Sequence, residues 1–176
     1  FFTHARDGGH DWHRNDQESH DQGYATTLLG DEAVRVIEQK HDEKPFFLYL
    51  AFNAPHFPIE PPEEWVAKVK ARAPQLDEKR ALNVALVEHL DDRIGQLLAV
   101  LKETGLDQNT VVAFGSDNGG SLPHAQNNDP WRDGKTSHYD GGLRVPFMVR
   151  WPGHIKAGSS SDYGGLNFDL FPTFLE

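Results

Sequence analysis

The chain contains no cysteine, which excludes disulfides, zinc–thiolate centres and a cysteine nucleophile within these residues. Cations are in deficit: 17 Lys and Arg face 27 Asp and Glu, for a formal net charge of −10. This argues against a non-specific nucleic-acid surface, which needs clustered positive charge, and an anionic membrane surface is disfavoured. Long apolar runs are missing too. The longest, residues 46–52, falls far short of the roughly 20 residues of a membrane-spanning helix. No cationic start precedes an apolar stretch, so no signal peptide is read, and the first residue is Phe1 rather than Met. The expectation is a processed product or an excised piece.

What is present is ordinary for a globular protein. Hydrophobic residues make up 38% and charged residues 25% of 176, enough to bury a core and suited to one domain. Residues 1–23, polar and rich in Gly, His and Asp, read as a surface loop. From Ala25, apolar residues recur at helical spacing through Ile37, with Thr26 or Thr27 as cap and Lys40–His41 at the C-terminal end. Phe46 to Phe52 reads as a buried strand. Pro61-Pro62-Glu63-Glu64-Trp65 reads as a helix start, with acids near the positive end of the dipole. Leu82, Leu86, Leu90, Ile94, Leu97, Leu98 and Leu101 form a core stripe on a longer helix that Gly105 stops. Strands are expected over residues 110–114 and 145–150, and a last helix from Leu170. Strands alternating with helices indicate an α/β fold, and ligands in such folds sit beyond the C-terminal ends of strands.

Two segments lie at those ends, and a third is a glycine-flanked loop. Asn53-Ala54-Pro55-His56-Phe57-Pro58 presents one imidazole on a backbone stiffened by proline; a purely structural loop histidine is the alternative. Asp117-Asn118-Gly119-Gly120 pairs a carboxylate with an amide oxygen, hard donors suited to calcium or magnesium, although an Asp-Asn-Gly turn needs no ligand. Gly134-Lys135 offers a compact point charge to an anionic group. It contains Gly-Lys-Thr, but Asp129 stands where a phosphate loop needs its first glycine, and no strand leads directly into it, so that reading is rejected.

Lys44 through His56, Ser116-Asp117-Asn118-Gly119-Gly120, and Gly134-Lys135 through Tyr139-Asp140-Gly141-Gly142-Leu143-Arg144-Val145-Pro146, in that order, resemble the sulfatase family. Trp151-Pro152-Gly153, Asp169 to Thr173 and the upstream Gly23-Tyr24 continue the match. Asn127-Asn128 before Pro130, with Arg132 and Lys135 following, is most like the arylsulfatase B branch, which acts on sulfated amino sugars. The resemblance implies a layered α/β/α alkaline-phosphatase-like fold, present here as a partial catalytic domain over residues 1–176. It implies hydrolysis of sulfate esters by a formylglycine made from a cysteine, and a calcium ion for which Asp117 and Asn118 match two ligands. Lys135 and His56 match the sulfate-binding lysine and histidine. Charge on the sulfate oxygens calls for cations already in place, and an imidazole near the leaving oxygen can share a proton with it.

The nucleophile motif, Cys or Ser followed by x-Pro-Ser-Arg, does not occur, and the two carboxylates that open the family's metal site are missing. Two side chains do not fill calcium's roughly 6–8 positions. The chain is thus expected to be the central portion of a sulfatase, inactive alone, acting with the missing segments on a sulfated small molecule or carbohydrate in an exported or lysosomal setting. A phosphomonoester or phosphonate hydrolase of the same superfamily, and a non-catalytic binding module, are the rivals. His10-Asp11-Trp12-His13 has no diagnostic metal spacing; Trp12, His13 and Arg14 are expected on a loop at the rim of the substrate pocket.

Overall fold

The structure is a computed structural model that describes residues 2–39, 41 and 44–176. The chain forms two compact units. One holds the chain up to Leu106 together with Pro123–Gln126, and the other holds Asp107–Leu122 and Asn127–Glu176.

In the first unit, the predicted surface loop folds into two small antiparallel hairpins: β1 (Ala5–Arg6) with β2 (Gly9–His10), and β3 (His13–Arg14) with β4 (Gln17–Glu18). Asp7 and Gly8, both at positive φ, make the first turn, the Asp-Gly chemistry such hairpins favour. Trp12 stacks on His4 and its Nε1 donates to Asp21. Arg14 donates to Glu32, whose carboxyl is pulled down to about 2 by its hydrogen bond from Arg35, with Arg14 adding to the effect.

Helix α1 spans Ala25–Ile37 as its periodicity predicts, but neither threonine caps it. Tyr24 is the N-cap, which places Thr26 and Thr27 inside the first turn. Thr26 is buried there, and the Thr27 hydroxyl meets Nε2 of His89 at 3.2 Å. Lys40 lies outside the described residues; His41 donates from Nε2 to the Val36 carbonyl, closing the helix end as its position suggested.

Helix α2 (Glu63–Arg72) starts after Pro62 with both acids in its first turn. Helix α3 (Glu78–Glu103) is capped by the Asp77 carboxylate, which accepts from Arg80 N. It ends in a Schellman arrangement: Gly105, at φ +74°, donates to the Lys102 carbonyl and Leu106 to the Leu101 carbonyl. The stripe is only partly core. Leu86, Leu90 and Leu101 are buried, whereas Leu98 is exposed, and Ala81 and Ala85, off the leucine row, are buried as fully as Leu86. The helix packs against both α1 and α2, so its buried face is wider than one leucine row and drifts along its length.

The expected strand at residues 46–52 is not formed: this segment is extended but lies in no ladder among the described residues. Phe47 and Tyr49 are 83% and 82% exposed, while Phe46, Leu48, Leu50 and Phe52 are half-buried. This is the period-two alternation of a strand with one face uncovered. Its far end is anchored, because Ala54 joins Tyr24, Leu86 and Leu90 in a core cluster that Phe52 and Ile59 flank. A second cluster, Val69, Ala81 and Ala85, is flanked by Trp65 and Leu76. His89, 4% exposed, stands edge-on to Tyr24 and Trp65. Burial pushes its imidazole below the ordinary range.

In the second unit, β5 (Val112–Gly115) pairs antiparallel with β6 (Phe147–Arg150), Ala113 facing Val149 and Gly115 facing Phe147. Both are shorter than predicted and mostly exposed; Phe114 and Met148 lie open to solvent. A short helix α4 (Asp140–Leu143) precedes β6, and α5 (Leu170–Leu175) closes the chain where a helix was expected.

Candidate functional site

His56 belongs to the first unit. Its backbone N–H donates to Asn53 O at 2.8 Å, making a tight turn. The side chain is exposed and Nδ1 donates to Phe57 O at 2.6 Å. With Nδ1 carrying that hydrogen, Nε2 is the nitrogen available to a ligand. The turn is tied to α3 through residues 123–126. Gln126 Nε2 donates to Pro55 O, Asn83 Nδ2 donates to His124 O, and Arg80 donates to Ala125 O. The Phe57 ring lies against His124 at 4.9 Å. This histidine is therefore held by a helix and by a segment about 70 residues away in sequence, a support that no local pattern predicts.

Asp117, Asn118 and Lys135 all belong to the second unit. The β5–β6 ladder delivers the turn, and Ser116 N donates to Pro146 O as its last rung. Asp117 is exposed and its carboxylate has no partner among the described residues. Asn118 is half-buried; its Nδ2 donates to Gly119 O, which leaves Oδ1 free there. Gly119 N donates to Gly142 O at 3.0 Å, and a Cβ on Gly119 would stand 1.8 Å from Gly141 O. The turn and the start of α4 touch backbone to backbone, so only glycine fits.

The lysine loop is fastened to that turn. Lys135 N donates to Gly120 O at 3.0 Å. Asn128, which the site reading passed over, bridges the two: its Oδ1 accepts from Gly120 N, and its Nδ2 donates to Gly120 O and Asp133 O. The sequence signal was the Asn-Asn pair before Pro130, legible only as part of a family pattern. Asp133 (φ +67°) and Thr136 (φ +75°) bracket Gly134-Lys135. A β-branched residue in the left-handed region is an outlier, and such strain, about 1–3 kcal/mol, persists only where surrounding bonds impose it. Lys135 is half-buried and its ammonium has no partner among the described residues.

The structure thus links Asp117, Asn118 and Lys135 through one glycine-lined backbone network and places His56 in the other unit. Unpaired hard oxygens on Asp117 and Asn118 suit a calcium-type cation. Among the described residues no group of three or more His, Cys, Asp or Glu could hold a metal, so the pair fits as part of a shell. Within the first unit Trp12 stacks on His4 and donates to Asp21, and the exposed Arg14 donates to Glu32.

The model of the family described as Sulfatase matches residues 2–176. The chain belongs to the sulfatase family. The N-acetylgalactosamine-6-sulfatase of Mus musculus is 36% identical over 155 residues, covering 85% of this chain and 28% of that protein. A sulfatase of Formosa agariphila is also 36% identical, over 165 residues, covering 87% of this chain and 30% of that protein. Among solved structures, Ps i-CgsB in complex with k-i-k-neocarrahexaose matches with a TM-score of 0.83 and 36% identity, covering 91% of this sulfatase chain and 35% of that one. The alkaline-phosphatase-like α/β fold is the one these sulfatases share. This chain spans under a third of the length of these curated relatives. No helix among its described residues is long and apolar enough to cross a membrane.

Proposed function

We propose that the chain is the central part of one sulfatase catalytic domain, and that the whole protein hydrolyses sulfate esters of sulfated carbohydrates outside the cytosol. The observation that carries this reading is the 3.0 Å bond from Lys135 N to Gly120 O. It joins a loop whose ammonium, among the described residues, is unpaired to a turn whose carboxylate is likewise unpaired, without letting the two neutralise each other. An acidic chain that keeps a half-buried lysine free in such a place is built to receive an anion. The names of the relatives point to galactosamine sulfates and carrageenan-type saccharides as the substrate class.

In this reading Lys135 meets a sulfate oxygen as a fixed positive charge and lowers the cost of charge accumulating there. Asp117 and Asn118 would hold calcium, which supplies Lewis-acid neutralisation of the sulfate oxygens. His56 acts at the leaving oxygen. Its Nδ1 hydrogen is committed to Phe57 O, so proton exchange with the leaving oxygen runs through Nε2.

The test of His56 is a leaving-group series. In the intact protein, His56→Ala is expected to slow an acidic nitrophenyl sulfate only a few-fold and a poorly leaving alkyl or sugar sulfate by about 100-fold or more, the range of general acid catalysis. A uniform loss across the series contradicts proton donation from this residue.

A further inference from the structure

Two arginines of the second unit lie against aromatic rings, and they differ in one respect. Arg144 sits 4.3 Å from the Trp131 ring centroid, and its Nε donates to Asp140 at 3.1 Å. Its charge is spent within the fold. Arg132 sits 3.7 Å from the Tyr139 ring centroid, yet its guanidinium has no acceptor or acid partner among the described residues. The backbone beneath it is fixed: Arg132 O accepts from Gly141 N at 2.9 Å, and a Cβ on Gly141 would stand 2.6 Å from that oxygen. Arg132 and Tyr139 are both exposed.

We infer that Arg132, laid on the Tyr139 ring, is a second anion subsite, which binds an oxyanion of the saccharide other than the sulfate being cleaved. The inference rests on the sulfatase reading and deepens it. A guanidinium held over an aromatic face has already lost much of its rotamer freedom, and it offers a fork of donors to a sulfate or a carboxylate. Lys135 follows Arg132 by three residues on the same loop, so their α-carbons lie at most about 11 Å apart. That separation suits two anionic groups on one sugar or on adjoining sugars. Tyr139 is a positioning residue, and Asn128 sets the loop through Asp133 O.

The experiment compares three substrates of the intact protein: an aryl monosulfate, a disaccharide with two sulfate esters, and a monosulfated disaccharide with a uronate carboxylate. Arg132→Gln is expected to lower kcat/KM for at least one dianionic disaccharide about 10- to 100-fold more than for the aryl monosulfate, the scale of hydrogen bonds to a charged group. Which disaccharide suffers identifies the anion as sulfate or carboxylate. Tyr139→Phe keeps the ring and the selectivity, whereas Tyr139→Leu reproduces the loss in KM with little change in kcat. Equal losses on all three substrates overturn the subsite. If the wild-type protein turns over none of them, the sulfatase reading itself fails and the subsite falls with it.

Discussion

Asp117→Ala in the intact protein is expected to abolish calcium retention and to lower sulfate-ester turnover by more than the 10- to 100-fold that loss of an outer-sphere partner typically costs. The carboxylate stands at the end of β5, exposed and without a partner among the described residues. Its removal therefore breaks no bond of the fold, and the Gly119–Gly142 and Lys135–Gly120 backbone bonds remain. The thermal stability of the metal-free protein should be nearly unchanged. What disappears is the calcium-dependent rise in Tm, which for a site saturated 100-fold above its Kd is worth about 2.7 kcal/mol. Asp117→Asn keeps a neutral oxygen donor and should bind more weakly without losing the site. A calcium-dependent Tm shift of wild-type size in Asp117→Ala contradicts the assignment.

Lys135→Ala should lower kcat for an aryl sulfate by about 100- to 1000-fold, the effect of removing one preorganised donor from a developing charge. The loop that carries Lys135 is held by its backbone N–H and by Asn128, so stability should change by no more than about 1 kcal/mol. Lys135→Arg is not a rescue, because a planar fork does not replace a compact ammonium held between Asp133 and Thr136 at positive φ. Turnover within a few-fold of wild type in Lys135→Ala, measured on folded protein, contradicts the sulfate-binding role.

The helices were legible because their signals are local. Ala25 to Ile37 shows the 3.6-residue period, Pro62-Glu63-Glu64 marks a first turn, and Gly105 takes the left-handed conformation that a helix end needs. The strand at residues 46–52 was misread because an apolar run reports burial on both faces, whereas Phe47 and Tyr49 point to solvent and no neighbouring strand pairs with them among the described residues. Asp7-Gly8 carried a hairpin signal that the polar character of residues 1–23 hid. At the site, Asp117 and Asn118 were identifiable as chemistry-bearing residues after a strand, and Lys135 as a loop cation beside Gly134. Their mutual tie was not, because it runs through backbone atoms of Gly119, Gly120, Gly141 and Gly142, which no side-chain pattern encodes. The support of His56 by Asn83 and Gln126 is long-range and equally invisible to local spacing.

Sulfate and phosphate monoesters differ little in shape but differ in charge, so their relative turnover separates the sulfatase reading from its phosphatase rival. The most direct measurement is the ratio of kcat/KM for an aryl sulfate to that for the matching aryl phosphate, taken on the intact protein with calcium present. The sulfatase account predicts a strong preference for the sulfate that collapses in Lys135→Ala. A preference for the phosphate, or a sulfate rate that Lys135→Ala leaves untouched, contradicts it.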